Sequence, residues 1–470
     1  MSTCKLILPK LWLAAIPKYW GERRVPSDYP STNSSFSVTY KTPEITQAVK
    51  TMEENIGTEN SIITDDMVPE NTIIGGYLGT YEVEAVAGEE TLLSPEKVGS
   101  SVIDVIAMHY SEETNQWSKI EDSHVVDGYV YGTLDSFSPI AVFTIKRDTI
   151  YGTGISSFFP NSSVYIANGI PVQVYKTEDG KTVAKDGNGK ETEITANTVI
   201  IGGTVDGTNV DSTSISVTGA QVISVCAGSY SEDSVVTVGS ATVLIKDSTI
   251  SNGITGAGFN NRMTDLSMTV DNTIANFIGA GESWSSVKKV DSNSSTNIGF
   301  GSNTWVANSV MNVTNSNIYI FYASGNSGYF YADHSVINAS GCEIGWLTTG
   351  GSNGRTNVCE VNVEDSTITC FQTVNRGTVN DARASIKNCT TDILAVCGDP
   401  TDSSVNGTVD RVRLDITGGT ANLYGGTNGG VAVDYNTVRG VVEYVKISRT
   451  SAITYMNDAD DILGELIRLK

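Results

Sequence analysis

A short pattern recurs through the second half of the chain, starting near residue 197. Each unit has a β-branched strand, a corner of Asn, Asp, Ser, Thr or Gly, a second strand opened by an apolar residue, and a glycine-rich loop. A period of this kind, with only short strands in each unit, predicts a parallel β-solenoid in which one unit forms one coil. The apolar residues that open the second strand recur at intervals of 20 to 30 residues; they are Val222, Ile250, Ile274, Ile298, Ile318, Ile344, Ile368, Ile393, Leu423 and Ile453.

Stacking explains how such short strands become stable. At an interstrand spacing of about 4.8 Å, each backbone group pairs with the coil above or below. We therefore expect about ten coils over residues 197–455, with Ile250, Ile274, Ile344 and Ile368 in one buried file. A series of β-sandwiches is the alternative, because strands separated by turn residues at roughly 8 to 12 positions have a similar pattern.

Residues 197–455 resemble the right-handed parallel β-helix, the fold of pectin-degrading enzymes, phage tailspikes and many surface adhesins. The resemblance is one of pattern, and the irregular coil length carries the inference of a right-handed helix. It implies a protein of the phage appendage or surface adhesin type. Such proteins are often trimeric in phage, so the resemblance also implies a homo-oligomer.

Residues 36–147 are predicted to form an antiparallel β-sandwich-like module, since segments such as SVIDVIAMHY and SPIAVFTI alternate apolar and polar residues. The stretch from Val102 to Ile145 resembles the last strands of a sandwich module of gut-bacterial surface proteins and the self-cleaving GAIN domains. The matching residues here are Ser136, Phe137 and Ser138, which lack the His that acts as base, so we expect no self-cleavage. Residues 148–196, with DG and NG turn dipeptides, predict a small connecting β-unit.

Two further segments flank these modules. Residues 1–35 are locally basic and aromatic, a composition preferred in protein interfaces. They predict an arm that docks on capsid or tail subunits, and a packed extension of the next domain is the alternative. Residues 456–470 predict a short amphipathic helix that caps the last coil, with Ile467 on its apolar side. The candidate docking residues are Trp12, Tyr19, Trp20, Arg23 and Arg24.

Charge and composition restrict the partners. The chain has 53 acidic and 30 basic residues, and a net charge of −23 repels phosphate backbones and anionic lipid surfaces, so we expect no nucleic-acid partner. No apolar stretch is long enough to span a bilayer, so membrane insertion is not expected, and the start of the chain is a poor secretory signal. The histidines His109, His124 and His334 share no metal-ligand spacing, and no phosphate-binding loop is present. We therefore expect no metal site and no cofactor.

The cysteines are predicted to be buried in the reduced form, because they include no CxxC pair and have no histidine cluster beside them. They are Cys4, Cys226, Cys342, Cys359, Cys370, Cys389 and Cys397.

Two sets of residues are candidates for a site. Asp247 and Asp271 occupy one corner position on adjacent coils and are the candidate acid and base of a tailspike-type polysaccharide depolymerase; turn chemistry is the alternative for both. Aromatic residues of the middle coils are candidates for a sugar platform, or they fill wide coils. The platform candidates are Trp284, Trp305, Tyr322, Tyr329 and Trp346.

The sequence favours an all-β, non-enzymatic structural or adhesion protein. The resemblance suggests a virion appendage, such as a head fibre, decoration protein or tail-associated spike, made in the host cytoplasm and placed at the virion surface, where the β-helix binds the host or a glycan. A polysaccharide depolymerase and a bacterial cell-surface adhesin are the alternatives.

Overall fold

The computed structural model divides after Asp148 into two compact units. It describes residues 43–69, 72–81, 102–126, 129–131, 139–153, 159, 161–231, 234–281, 304–325, 330–351, 354–374, 377–396, 408–424, 427–428, 431–432, 441–448, 450–456 and 467–469. The predicted docking arm and residues 136–138 lie outside these ranges.

The first unit contains one helix and an antiparallel sheet. Its elements are α1 (Pro43–Asn55), a 3-10 turn (Asp65–Met67), β1 (Thr72–Tyr81), β2 (Val102–Ser111), β3 (Gln116–Lys119), β4 (His124–Val126), β5 (Tyr129–Tyr131) and β6 (Ile140–Arg147). Four strands form a sheet in the order β1-β6-β2-β3, and β4 pairs with β5. This sheet confirms the antiparallel module expected from the sequence.

Helix α1 is the feature of this unit that the sequence pattern did not predict. Its apolar residues Ile45, Val49 and Met52 recur at helical spacing and share a buried cluster with Ile106 and Phe143 of the sheet. Proline at the first helical position and Glu44 in the first turn favour this start. One face of the sheet is therefore packed against a helix.

The second unit consists of β-strands in the residues described. They are β7 (Ile150–Thr153), β8 (Ser163–Ile166), β9 (Val172–Lys176), β10 (Thr182–Asp186), β11 (Glu191–Ile194), β12 (Thr198–Ile201), β13 (Val210–Thr218), β14 (Gln221–Cys226), β15 (Val236–Lys246), β16 (Thr249–Thr255), β17 (Asn261–Asp271), β18 (Ile274–Gly279), β19 (Thr304–Thr314), β20 (Asn317–Tyr322), β21 (Phe330–Ser340), β22 (Glu343–Thr348), β23 (Arg355–Glu364), β24 (Thr367–Gln372), β25 (Thr378–Lys387), β26 (Thr390–Ala395), β27 (Thr408–Thr417), β28 (Thr420–Tyr424), β29 (Thr427–Asn428), β30 (Val431–Ala432), β31 (Val441–Ile447), β32 (Ala452–Met456) and β33 (Ile467–Leu469).

These strands wind as a parallel β-solenoid, as the repeat predicts. One sheet has the order β11-β10-β9-β13-β15-β17-β19-β21-β23-β25-β27-β31-β33, and we call it the long-strand sheet. The other has the order β32-β28-β26-β24-β22-β20-β18-β16-β14-β12-β8-β7, and we call it the short-strand sheet. The solenoid has about seven turns rather than the ten predicted. Strand β17 pairs directly with β19. The predicted file residue Ile298 lies outside the described residues.

The corner between the two sheets has the same backbone conformation on successive turns. Each corner has a residue with a positive φ of 46° to 69°, which only Gly, Asn and Asp adopt with ease, and in the corner of Gly418 the next residue, Gly419, has a positive φ as well. The Asn side chains link turns: Asn272 Nδ2 donates to Asp247 Oδ1 at 2.7 Å, and Asn388 Nδ2 donates to Asp365 Oδ1 at 3.1 Å. The positive-φ corner residues are Gly219, Asp247, Asn272, Asn315, Gly341, Asp365, Asn388 and Gly418.

The buried file begins three residues after each of these corners. Ile250, Ile344 and Ile368 are at most 2% exposed, as expected, and the register aligns Ile344 with Ile368. Ile274 was predicted to be buried but is 59% exposed, because Asn272 is the positive-φ residue of its turn and Ala275 therefore takes the buried position. A slip of one residue moves a side chain to the opposite face of a strand.

Two further residues near the end of the predicted buried file, Ile393 and Leu423, were also assigned to the wrong positions. Thr391 pairs with Ile368 and Ala421 pairs with Thr391, so these residues occupy the positions that were assigned to Ile393 and Leu423. Leu423 is buried in a neighbouring position.

The predicted connecting unit is part of the solenoid. Strands β9, β10 and β11 form an antiparallel meander, and β9 pairs in parallel with β13. Gly180 and Gly189 have φ of 87° and 86° in its two turns, as the DG and NG dipeptides suggest. Lys185 forms a 2.8 Å ion pair with Glu191 on the edge strand, and charged edges of this kind discourage pairing with another chain.

The final segment differs from the expected capping helix. Ile467–Leu469 form β33, which pairs in parallel with β31, so these three residues extend the long-strand sheet as a strand. Residues 457–466 lie outside the described part of the chain.

The cysteines in the described ranges are buried and form no disulfide, as predicted; they are Cys226, Cys342, Cys359, Cys370 and Cys389. Burial raises the pKa of the Cys359 thiol well above its usual value, which disfavours the reactive thiolate. We expect iodoacetamide to leave Cys359 unmodified in the folded protein and to alkylate it in urea, as measured by peptide mass spectrometry. Equal alkylation in both conditions would contradict the burial.

No helix in the described ranges has the length and apolar character needed to cross a membrane.

Candidate functional site

The outer face of the long-strand sheet presents side chains in columns that run from turn to turn. Each strand alternates buried and outward-facing residues, and the parallel register places equivalent outward residues about 4.8 Å apart on successive turns. Since neighbouring turns hold each strand on both sides by hydrogen bonds, these columns form on a rigid base.

Four outward residues on consecutive turns form the most distinctive column. Arg262 aligns with Trp305, Trp305 with Tyr331, and Tyr331 with Arg355. Tyr331 is 37% exposed, Trp305 is half-buried and both arginines are exposed. We call these four residues the aromatic–arginine column.

The polar atoms of this column have few partners in the protein. Tyr331 donates a hydrogen bond to Asp333 Oδ1 at 3.4 Å, and burial together with the Asp333 charge raises the pKa of Tyr331. Among the described residues, neither Arg262 nor Arg355 has a side-chain hydrogen bond or ion pair. Two guanidinium groups therefore face solvent at the two ends of the pair of rings.

A shallow groove of about 370 Å³ lies further along the same face. Its lining includes a ladder of amides, in which Asn338 donates to Asn312 at 2.8 Å and Asn362 donates to Asn338 at 3.0 Å. The lining also includes Glu364 and Lys387, which form a 3.2 Å ion pair. The groove therefore offers a regular series of hydrogen-bonding groups.

A third cluster of this face is an internal charge network. Arg383 contacts Glu360 at 2.9 Å and Asp381 at 2.8 Å, and Arg411 and Arg413 approach Asp381 at 4.0 and 3.8 Å. The hydrogen bond from Arg383 to Asp381 raises the pKa of Arg383. Because opposite charges face each other across three turns, the network serves to hold neighbouring strands together.

The two candidate catalytic carboxylates are part of the corner. Asp247 has a positive φ and accepts the amide of Asn272. Asp271 accepts hydrogen bonds from Thr314 at 2.7 Å and from Asn315 at 3.1 Å, and these bonds lower the pKa of Asp271. A carboxyl group that acts as a general acid at neutral pH needs a raised pKa. Because the pKa of Asp271 is lowered, its carboxylate is suited to accept hydrogen bonds in the corner and not to donate a proton.

The described aromatic residues that were predicted to form a sugar platform do not lie together. Trp305 lies in the aromatic–arginine column, whereas Trp346 is half-buried on the short-strand sheet, in register with Ile320. Tyr322 is only 6% exposed and packs edge-to-face on Phe277, with the two ring centroids 5.7 Å apart, so its ring is not available to contact a sugar. Trp284 and Tyr329 fall outside the described residues.

Arg262 and Arg355 were missed as site residues, and Tyr331 was considered only as one of the aromatic residues of the middle coils. Local sequence contains no signal for the two arginines, because the strand register places them in line with Trp305 and Tyr331. In the described ranges, no group of three or more His, Cys, Asp or Glu side chains is arranged to bind a metal.

Comparisons with known proteins found no match among protein-family models, curated proteins or solved structures. The architecture is that of a β-solenoid, and its outer surface supplies the basis for a functional proposal.

Proposed function

We propose that the protein is a non-enzymatic binding protein that holds a surface glycan on its long-strand sheet. The aromatic–arginine column carries this proposal. Aromatic rings offer the flat apolar surface on which the apolar face of a sugar ring packs, and guanidinium groups donate several hydrogen bonds in a fixed fork.

The scaffold suits an extended polymer. A glycan chain that lies across the strands meets an equivalent side chain on every turn, at intervals of about 4.8 Å. The rings project from strands that are hydrogen-bonded on both sides, so little backbone freedom is lost on binding. The Asn312–Asn338–Asn362 ladder provides further donors and acceptors for sugar hydroxyls on the same face.

The proposal also includes a location. The resemblance of residues 197–455 to the β-helices of phage appendages supports a place on the virion surface, with the arm of residues 1–35 docked on capsid or tail subunits. Trimeric assembly follows from the same resemblance. Peptides of this chain in purified virions would support the proposal, and peptides only in a washed bacterial envelope would favour a cell-surface adhesin instead.

Alanine at Trp305 or Tyr331 is expected to weaken glycan binding by about 10- to 100-fold. Burial of one aromatic side chain against a ligand is worth about 1.5–3 kcal/mol, which corresponds to that range. A glycan array identifies the ligand, and titration calorimetry then compares Trp305→Ala and Tyr331→Ala with the unmodified protein.

Tyr319→Ala is the matched control, because Tyr319 is 57% exposed on the short-strand sheet. It is expected to bind as the unmodified protein does. Absence of any array glycan that binds, or unchanged affinity in both column variants with an unchanged thermal midpoint, would overturn the proposal.

Depolymerase activity is the second candidate, motivated by Asp247 and Asp271 on adjacent turns. The same incubations are assayed for new reducing ends or unsaturated sugars. We expect none, because both carboxylates are hydrogen-bonded in the corner. Release that is lost in Asp271→Asn, with folding retained, would favour the depolymerase.

A further inference from the structure

We infer that the bound glycan is acidic, and that Arg262 and Arg355 each hold one of its anionic groups. This inference rests on the proposed glycan-binding function and specifies the ligand class. The anionic groups are carboxylates or sulfate esters. Either kind of group accepts the paired hydrogen bonds of a guanidinium through two of its oxygens.

The surroundings of the arginines are the first support. Another arginine of this face, Arg383, is paired with carboxylates: it contacts both Glu360 and Asp381 within 3 Å. Arg262 and Arg355 form no comparable contact with any described residue, although the chain carries 53 acidic residues. Their positive charges are therefore available to a ligand.

Asp333, two residues after Tyr331 on the same strand, already has hydrogen-bond partners. Asp333 accepts a 2.8 Å hydrogen bond from Asn357 and a longer one from Tyr331. These bonds hold its carboxylate beside the amide and the phenol, and no ion pair joins it to Arg355. Arg355 is exposed and has no ion-pair partner among the residues that the structure describes.

The geometry restricts the ligand further. Arg262 and Arg355 are separated by three intervals of the sheet, about 14 Å at the usual interstrand spacing. Trp305 and Tyr331 occupy the two turns between them. The column therefore matches a polymer whose anionic groups recur within about 14 Å and whose intervening sugar rings present apolar faces.

A glycan fits these charges better than a nucleic acid does. The chain has a net charge of −23, which repels a polymer with a phosphate at every residue. Salt screens charges beyond about 8 Å under physiological conditions, so two local guanidinium groups still attract a sparsely charged polymer that reaches them.

The test uses dextran, carboxymethyl dextran and dextran sulfate of equal length as immobilised probes, with the two charged probes substituted sparsely and to the same degree. The unmodified protein is expected to bind at least one charged dextran about 10-fold or more tightly than dextran. The two charged probes distinguish carboxylate from sulfate. Arg262→Gln/Arg355→Gln is expected to reduce the preference to less than about 2-fold, since both charge-assisted contacts are removed.

Lys181→Gln/Lys185→Gln is the charge-matched control. It removes two positive charges from the exposed meander, where both lysines pair with glutamates. The control is expected to retain the preference for charged dextran. An equal loss in both double variants would overturn the inference, because net charge alone would then explain binding.

Three other outcomes separate the two proposals. If the protein binds a neutral glycan through Trp305 and shows no preference for charged dextran, the acidic ligand is refuted and the binding function stands. Binding of polyphosphate as tight as that of the charged dextrans would refute a glycan-specific site. Failure to bind any array glycan or any dextran would refute the binding function itself.

Discussion

Replacement of Phe321 by alanine is expected to lower the free energy of unfolding by about 3–5 kcal/mol. Phe321 is fully buried in β20, where the register places it between Ile278 and Leu347 of the neighbouring turns. Hydrogen bonds to both turns fix the backbone around it, so the strands cannot close over the cavity that the ring leaves.

Tyr319→Ala is a control from the same strand. Tyr319 lies two residues earlier and is 57% exposed, so its removal is expected to change stability by less than about 0.5 kcal/mol. Urea unfolding followed by circular dichroism measures both variants. Similar losses for the two aromatic residues would show that the interior position of Phe321 is wrong; if Phe321→Ala does not fold, Phe321→Leu provides the smaller change.

Alanine at Gly419 is expected to cost about 3 kcal/mol or more, for two separate reasons. The φ of Gly419 is 68°, a conformation that costs residues with a Cβ atom about 1–2 kcal/mol. A Cβ atom built there would also overlap the carbonyl oxygen of Cys389 on the preceding turn. Relief of that overlap requires the stacked backbones to move apart, which adds about 1–3 kcal/mol.

Gly180→Ala isolates the conformational cost. Gly180 has a φ of 87°, but a Cβ atom there would meet nothing within 4 Å. The expected loss is about 1–2 kcal/mol, from backbone conformation alone. Thermal and urea unfolding of both variants measure the difference, and equal losses would contradict the close approach of successive turns at Gly419.

Much of the solenoid is predictable from the repeat because both of its causes are local. Alternation of β-branched and polar residues specifies strands with one buried face, and Asn, Asp or Gly at the corner specifies a turn with positive φ. Ile250, Ile344 and Ile368 were assigned to the interior on these grounds, and the structure confirms all three.

The failure at Ile274 shows the limit of that reasoning. The segments KDSTI and VDNTI look equivalent, yet Asp247 has the positive φ in the first and Asn272 in the second. Asn and Asp both tolerate that conformation, so local preference does not decide between neighbouring candidates. Contacts with the adjacent turns decide it, and they move Ile274 outward and Ala275 inward.

The aromatic–arginine column is harder to predict from the sequence than the buried file. Arg262 and Trp305 are 43 residues apart, whereas Trp305 and Tyr331 are 26 apart and Tyr331 and Arg355 are 24 apart. Irregular spacing of this kind hides the equivalence of the four positions. The hydrogen-bond register between strands shows that the four positions are equivalent, because each backbone group pairs with a specific partner on the next turn.

Periodicity and corner chemistry are properties of nearby residues, so the repeat alone predicts short parallel strands stacked around a β-branched interior. The tertiary structure is needed to show which side chains share an outer column and which arginines lack a side-chain partner among the described residues. Those properties depend on register between turns, and a shift of one residue reverses the face on which every side chain of a strand lies.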